Sequence, residues 1–253
     1  MVSTTVFFFT GPSGFSFGAS PQATKKNSGI IVRQVNILSD MDYDIFSQQV
    51  AKIKNLPLPG VASHYKMAPE VRVKELKAGM KVDRNPKKAG VMALFYPDDD
   101  YRTHFLLIHR KSYPGVHSDQ ISFPGGKVEK GDPDLMATAL RETHEEVGVP
   151  PQDVLVIREM TEVYIPPSNF IVQPYLGLYK KEFPFVPQEA EVAAVVEVSL
   201  DDFMSDSNIT TQLLSTSYAR NIEVPAFSLN GHVVWGATAM MMSEIREMFK
   251  RVF

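Results

Sequence analysis

The amino-acid sequence predicts an α+β sandwich, in which helices cover a sheet. Two apolar runs separated by a short polar turn predict a β-hairpin before the middle of the chain. A helix with clear start and stop signals then interrupts the series of strands, and an amphipathic helical pattern ends the chain. Strands in hairpins, interrupted by only two or three helices, favour this fold class over a regular alternation of strands and helices.

The first third of the chain is predicted to lie outside the main domain. Residues 1–40 are rich in Gly, Ser, Thr and Pro without sustained periodicity, which predicts a disordered tail and makes Met41 a candidate natural start. Residues 41–84 are predicted to be a helical and extended segment that packs on the main domain, and the sequence suggests no function for them. Four apolar residues of this segment recur at helical spacing: Ile45, Phe46, Val50 and Ile53.

The main domain is predicted to span residues 85–253. GVMALFY (90–96) reads as a buried strand, THFLLIHR (103–110) as its hairpin partner, and ISF (121–123) as a short strand. In the helix that follows, we expect Asp132 to cap the N-terminus, Pro133 to occupy the first turn and Gly148 to end the helix. Beyond it, VLVIREM, IVQPYLGLYK and AAVVEVSL predict strands, DDFMS a turn into a short helix, and 232–253 one long helix.

Composition excludes several classes of function. The formal net charge is −3, so no broad basic surface for nucleic acid or an anionic membrane is expected. The chain has no cysteine, which excludes disulfides, thiolate metal sites and a cysteine nucleophile. No apolar run approaches the ~20 residues that cross a bilayer. These features together predict a cytoplasmic enzyme.

Three glutamates form the most informative cluster. Glu142 precedes Glu145 and Glu146 by three and four residues, which places the carboxylates on one helix face, where like charges repel by a few tenths of a kcal/mol. A solvated surface is one interpretation. A hard divalent cation is the other, because Mg²⁺ and similar ions prefer carboxylate oxygens and would remove the repulsion.

The segment FPGGKVEKGDPDLMATALRETHEEVGV resembles the Nudix box, G-x5-E-x7-R-E-U-x-E-E-x-G-U, in which U is aliphatic. Arg141, Gly148 and the three glutamates match the second half, with Thr143 in place of one aliphatic residue. The first half departs from the pattern. Asp132 replaces its glutamate, and the arginine comes one residue later than the pattern requires.

This resemblance implies a Nudix hydrolase, with a mixed sheet flanked by helices in an α/β/α sandwich, that cleaves a diphosphate with Mg²⁺ or Mn²⁺. By the same resemblance, Glu142, Glu145 and Glu146 would hold the metal with the carbonyl of Gly126, and Arg141 would orient a glutamate. The Glu191-Val192 pair is similar to a Glu-Val pair that follows the helix in many members. The implied catalytic set is therefore Glu145, Glu142, Arg141 and Glu191, although Glu191 could equally be a surface glutamate.

The residues before the box suggest a substrate. LLIHRKSYPGVHSDQISFPGGK resembles the motif of the coenzyme A pyrophosphatase subgroup, with departures at Gly115 and Asp119 among others. The resemblance implies cleavage of coenzyme A into 3′-phosphoadenosine 5′-phosphate and 4′-phosphopantetheine. Arg110 and Lys127 are the candidate phosphate contacts, and for Arg110 a structural salt bridge is the alternative.

Two alternatives to this function remain open. The substrate could be ADP-ribose, a dinucleotide or a nucleoside triphosphate, and the chain could be a non-catalytic Nudix-fold binding module. The methionine-rich C-terminal segment is compatible with either a core helix or a homodimer contact.

Overall fold

The computed structural model describes residues 41–78, 85–111, 120–181, 183–214 and 222–253, and every structural statement below concerns these segments. The expectation for residues 1–40 lies outside the described residues, as do Gly115 and Asp119. None of the helices in these segments is long and apolar enough to cross a membrane.

A mixed sheet forms the centre of the fold. β1 (Lys87–Pro97) pairs antiparallel with β2 (Thr103–Arg110), which confirms the predicted hairpin, and parallel with β7 (Phe170–Tyr179). The other strands pair antiparallel with these three: β3 (Ile121–Ser122) and β8 (Val192–Ser199) with β2, β4 (Gly125–Lys127) with β1, and β5 (Val154–Glu159) and β6 (Val163–Ile165) with β7.

Side chains alternate across β1 and contribute to two cores, one on each face of the sheet. Met92, Leu94 and Tyr96 pack towards α4 (Leu135–Val147), with Ala139 and Val147 of that helix. Ala93 and Phe95 belong to the opposite core. That core is closed by α1 (Tyr43–Val50), α5 (Leu200–Met204) and α6 (Gly236–Phe249). Helices on both faces of a mixed sheet confirm the predicted α+β sandwich.

The N-terminal segment is helical and packs through an aromatic cluster. After α1 it continues as a 3-10 helix (Ala51–Asn55), α2 (Val61–His64), a second 3-10 turn (Tyr65–Met67) and α3 (Glu70–Lys77). Phe46 lies 5.2 Å from Phe95 and 5.5 Å from Phe249 between ring centroids. Ile45 is 53% exposed, so its assignment to the buried stripe was wrong. Tyr43, three residues before Phe46, fills that place.

The predicted 232–253 helix was wrong in its first turn. A second, three-stranded sheet consists of β9 (Ile209–Leu214), β10 (Ile222–Leu229) and β11 (His232–Trp235), and α6 starts only at Gly236. Val234 pairs with Phe227 of β10, so tertiary pairing overrides the helical pattern there. The four methionines of α6 are buried within the chain, so a homodimer would need another surface: Met240, Met241, Met242 and Met248.

Candidate active site

Helix α4 lies unusually close to β1 because Gly90 has no side chain. A Cβ at Gly90 would lie 2.2 Å from the carbonyl oxygen of Leu135 and 3.0 Å from the backbone nitrogen of Ala139. The helix begins after Asp134, whose Oδ1 accepts a hydrogen bond of 2.8 Å from the backbone of Ala137. It ends at Gly148 with φ 77°, as expected. The predicted capping role of Asp132 was therefore wrong, because the chain turns into the helix two residues later.

Asp132 instead binds Arg141. The guanidinium donates from Nε to Oδ1 at 3.0 Å and from Nη2 to Oδ2 at 3.1 Å, a bidentate pair. Thr138 Oγ1 and the backbone N–H of Glu129 also donate to Oδ2. These hydrogen bonds, above all that from Arg141, hold the pKa of Asp132 well below its usual range. The departure from the Nudix pattern at this position is thus a shorter carboxylate that still reaches the arginine.

The same arginine reaches two of the three helix glutamates. Its Nη2 lies 2.9 Å from Glu142 Oε1, and its Nη1 lies 2.9 Å from Glu145 Oε2. Glu145 is half exposed, whereas Glu142 is nearly enclosed. Nη2 also donates to the carbonyl of Lys127, so one guanidinium connects the helix with β4. Arg141 therefore contacts both glutamates as well as Asp132.

Glu146, the third glutamate, is 1% exposed and faces Arg110. Its Oε2 accepts a hydrogen bond of 2.8 Å from the backbone N–H of Gly125, and Arg110 Nη2 lies 2.9 Å from its Oε1. That Nη2 donates to the carbonyl of Gly125, and Oε1 has no hydrogen bond of its own. The Nε of Arg110 donates a hydrogen bond to the hydroxyl of Ser122, which fixes the guanidinium. Arg110 thus forms the salt bridge that was the alternative to phosphate binding.

Gly126 forms a close cradle for the carboxylate of Glu142. A Cβ at this position would lie 2.4 Å from Glu142 Cδ and Oε2, so only glycine leaves the carboxylate its place. Gly126 is opposite Gly90 in the pairing of β4 with β1. The structure therefore places the glycine of the motif directly against a predicted metal ligand.

The side chain of Glu191 is exposed and lies at the end of the loop before β8. It is near enough to Glu142 and Glu146 for its charge to raise the pKa of each. Lys127 is also exposed, and the contact that it contributes is its backbone carbonyl. Glu191 and Lys127 thus lie at the rim of the carboxylate cluster.

Burial and mutual repulsion make the cluster electrostatically unfavourable. Burial is the main cause that raises the pKa of Glu146 to about 7, with Arg110 opposing it and Glu142 and Glu191 adding to it. Burial also raises the pKa of Glu142, against the influence of Arg141. Such a set of oxygen donors, one without a hydrogen bond, fits a hard divalent cation.

Two arginines lie against the three glutamates of α4. Within the described segments, no three acidic or histidine side chains are close enough to hold one metal ion as they stand. Glu142 and Glu145 share Arg141, and Glu146 faces Arg110. To hold one ion together, these carboxylates would therefore have to take positions other than those described.

Sequence reasoning missed two contributors to this site. The Gly125 N–H and the Ser122 hydroxyl hold Glu146 and Arg110, and neither has a signal in local periodicity. In the sequence, Asp132 stood out only because it replaces the glutamate of the Nudix box. Its position, six residues after Gly126, was the signal that could have identified it as the partner of Arg141.

The chain is similar in sequence to curated Nudix hydrolases. Nudix hydrolase 22, chloroplastic, from Arabidopsis thaliana is 32% identical over 163 residues, which cover 62% of this chain and 53% of that protein. An uncharacterized Nudix hydrolase, NudL, from Pectobacterium atrosepticum is 32% identical over 158 residues, covering 60% of this chain and 79% of its own length. The chain spans about half the length of the plant relatives that it matches.

A crystal structure of a MutT/nudix family protein from Enterococcus faecalis aligns with a TM-score of 0.45 and 18% identity, covering 80% of this chain and 73% of that one. The NUDIX domain family itself matches residues 86–214, slightly more than half of the chain. This matched range contains the hairpin, the acidic helix and the Glu191 loop. The chain accordingly belongs to the Nudix hydrolase family.

Proposed function

We propose that this protein hydrolyses a diphosphate linkage with the help of Mg²⁺ or Mn²⁺. The observation that carries the proposal is the set of glutamates on α4, which is kept together at an electrostatic cost and oriented by Arg141. Members of the family generally need a divalent metal ion, and the donors present are those that such an ion prefers. A module that only bound a ligand, without metal, would have no need of three repelling carboxylates.

Glu142, Glu145 and Glu146 would hold the metal, with the Gly126 carbonyl as a further ligand. When bound, such an ion neutralises phosphate charge and lowers the pKa of water, which supplies a nucleophile near neutral pH. Arg141, held by Asp132, keeps the carboxylates of Glu142 and Glu145 close together at the site.

Glu191 is the proposed proton acceptor. It lies at the exposed rim, where a water molecule can approach, and its charge already influences Glu142 and Glu146. Arg110 becomes available to a substrate phosphate once Glu146 is a metal ligand, and Lys127 adds a positive charge at the same rim. In this proposal the three glutamates of α4 bind the metal, Glu191 accepts a proton from water, and Arg110 and Lys127 contact the substrate.

Coenzyme A, or a thioester of it, is the proposed substrate. The support is the motif from Leu106 to Lys127, which resembles that of the coenzyme A pyrophosphatases. The departures at Gly115 and Asp119 favour a second candidate, in which the same chemistry acts on ADP-ribose, a dinucleotide or a nucleoside triphosphate. The expected products from coenzyme A are 3′-phosphoadenosine 5′-phosphate and 4′-phosphopantetheine.

The test is to incubate the purified chain with coenzyme A and Mg²⁺ and to detect 4′-phosphopantetheine by mass spectrometry. We expect Glu145→Gln to lower kcat at least ~100-fold, because it removes a charged metal ligand. Glu223→Gln, a change at an exposed glutamate of β10, is the matched control and should retain full activity. Cleavage of ADP-ribose or a dinucleotide alone would transfer the assignment to the second candidate. Equal activity of Glu145→Gln and the wild type would refute the metal site.

We also propose a cytoplasmic location, supported by the absence of cysteine from the chain. A fluorescent fusion of the full chain, imaged against organelle markers, tests it. Two of the plant relatives are named chloroplastic and mitochondrial, and an organellar signal would overturn the cytoplasmic assignment.

A further inference from the structure

Residues 183–191 form a strap that leads from the region after β7 to the start of β8 and carries Glu191 at its end. We propose that Phe185 is a positioning residue, which anchors this strap on the core and thereby holds Glu191 beside the glutamates of α4. The inference rests on the proposed function, because Glu191 is the proton acceptor proposed there.

The anchor is visible in the packing of Phe185. Its ring centroid lies 4.8 Å from that of Tyr96 in an edge-to-face arrangement and 6.3 Å from that of Tyr179. Phe185 is half-buried against the core that lies under α4. Two neighbours in the strap, Phe183 and Val186, are 63% and 65% exposed. The strap therefore attaches to the core through Phe185.

The surface that receives Phe185 is itself fixed. The hydroxyl of Tyr96 donates a hydrogen bond of 2.7 Å to Glu197 Oε2 on β8. Lys181 Nζ lies 3.0 Å from the same oxygen, and also 5.0 Å from the Tyr96 ring and 5.4 Å from the Phe185 ring. The aromatic pair is thus enclosed by a charge network that includes the strand following the strap.

Backbone hydrogen bonds continue from this anchor to the acidic helix. The N–H groups of Val186 and Gln188 donate to the carbonyls of Val147 and Glu146, each at 3.0 Å. The last carbonyls of a helix have no partner within it, so the strap satisfies two of them. One of the two belongs to Glu146 itself, which links the strap directly to a proposed metal ligand.

The last step leads from Gln188 to Glu191. The carbonyl of Gln188 accepts hydrogen bonds from the N–H groups of Glu191 and Val192, at 3.1 Å and 2.9 Å. The carbonyl of Glu191 accepts from the N–H of Lys111 at 2.8 Å. The backbone of Glu191 is therefore fixed on both sides, although its side chain is exposed.

This arrangement matters because a carboxylate on a loop has no fixed geometry of its own. Its distance from Glu142 and Glu146 depends on what holds the loop, and small misplacement of a proton acceptor lowers kcat strongly. Loss of the Phe185 ring should release the strap from Tyr96 and weaken the hydrogen bonds to α4. Glu191 would then sample many positions, while the substrate contacts of the rest of the site persist.

The first experiment compares Phe185→Ala with Phe183→Ala, a matched change two residues away at an exposed position. We expect Phe185→Ala to lower kcat about tenfold with KM within about twofold, as for loss of positioning alone. Hydrogen–deuterium exchange should become about tenfold faster at the amides of Val186, Gln188 and Glu191, while α4 keeps its protection. Phe183→Ala should match the wild type in both measurements.

A double-mutant cycle with Glu191→Gln separates positioning from general destabilisation. If Phe185 acts through Glu191, Phe185→Ala should lower kcat no further once Glu191→Gln is present. An undiminished further decrease would overturn the proposal. Phe185→Tyr retains the ring and should restore at least half of the wild-type kcat, which also guards against misfolding of the alanine variant.

The exchange measurement keeps this inference distinct from the proposed function. If the wild type hydrolyses no diphosphate, the proposed function fails, and with it the role of Phe185 in catalysis. The anchor itself is then decided by exchange alone. Equal exchange of the strap in Phe185→Ala and Phe183→Ala would overturn it.

Discussion

At the scale of single residues, Arg141 is the point on which three acidic side chains converge. It contacts Asp132, Glu142 and Glu145 with one planar group, which a lysine with its single ammonium could not do. Glu146 depends instead on Arg110 and the Gly125 N–H. Two arginines thus form ion pairs with four buried or half-buried acids.

Gly126→Ala gives the first prediction at this scale. The new Cβ would overlap the Glu142 carboxylate, which is the mobile end of a side chain and can rotate away at small cost to the fold. We expect Mn²⁺ affinity to fall at least ~10-fold, as when groups that orient a metal ligand are removed. The free energy of unfolding should change by less than about 1 kcal/mol.

Titration with Mn²⁺, followed by electron paramagnetic resonance, measures the affinity, and thermal unfolding measures the stability. Gly131→Ala is the matched control, since a Cβ there would have no neighbour within 4 Å. Unchanged Mn²⁺ affinity in Gly126→Ala would mean that Glu142 is not a ligand in the bound state.

At the scale of secondary-structure elements, the contact between α4 and β1 decides where the acidic helix lies. Ala139, Thr143 and Val147 of α4 recur at helical spacing and are buried. The depth at which the helix packs depends on Gly90, which lies on a different element and was not singled out by its sequence context. Because α4 packs this close to β1, the carboxylate of Glu142 lies directly against Gly126.

Gly90→Ala should therefore disturb both stability and the site. The Cβ would meet backbone atoms of α4, which cannot rotate away, so the helix must shift outward. We expect the free energy of unfolding to fall by about 3 kcal/mol, as for other overpacked cores, with a parallel loss of kcat. Chemical denaturation and steady-state kinetics provide the measurements. A fully stable Gly90→Ala protein would contradict the close packing described.

At the scale of the whole molecule, a buried carboxylate joins distant parts of the described chain. Glu244 of α6 is fully buried and accepts hydrogen bonds from the N–H of Gly60 at 2.9 Å and from the N–H and hydroxyl of Thr161. His64 Nε2 lies 3.5 Å from Glu244 Oε2. The N-terminal helices, the turn before β6 and α6 thus share one polar centre.

This network predicts a dependence of stability on pH. Burial, the largest influence, raises the pKa of Glu244, but the nearby His64 and the hydrogen bonds from Thr161 outweigh it, and the pKa lies below its ordinary value. Folding therefore favours the carboxylate. Its contribution to stability is complete above the ordinary pKa and is lost as pH falls through the lower pKa of the folded state.

Glu244→Gln should lower the free energy of unfolding by about 1–3 kcal/mol at neutral pH, since buried donors lose a charged acceptor. The difference from the wild type should shrink as the solution is acidified below about pH 4.5. Denaturation curves across this range test it, with the exposed Glu223→Gln as control. A difference that stays constant with pH would show that the charge of Glu244 contributes nothing.

The sequence by itself determined the features that depend on near neighbours along the chain. The β1–β2 hairpin, the end of α4 at Gly148 and the common face of its glutamates all follow from local sequence signals. The resemblance to the Nudix box rests on residues within one continuous segment, and it identified the family. Each of these could be predicted because the interacting residues are close in sequence.

Only the tertiary structure decided which distant residues meet. The pairing of Val234 with Phe227 turned a predicted helical turn into β11, and the Arg110–Glu146 ion pair brings together residues 36 positions apart. The contact between Phe185 and Tyr96 of β1, on which the proposed placement of Glu191 rests, likewise joins residues far apart in the sequence. Such contacts leave no period in the sequence, because they are set by how the sheet and helices pack and not by local conformational preference.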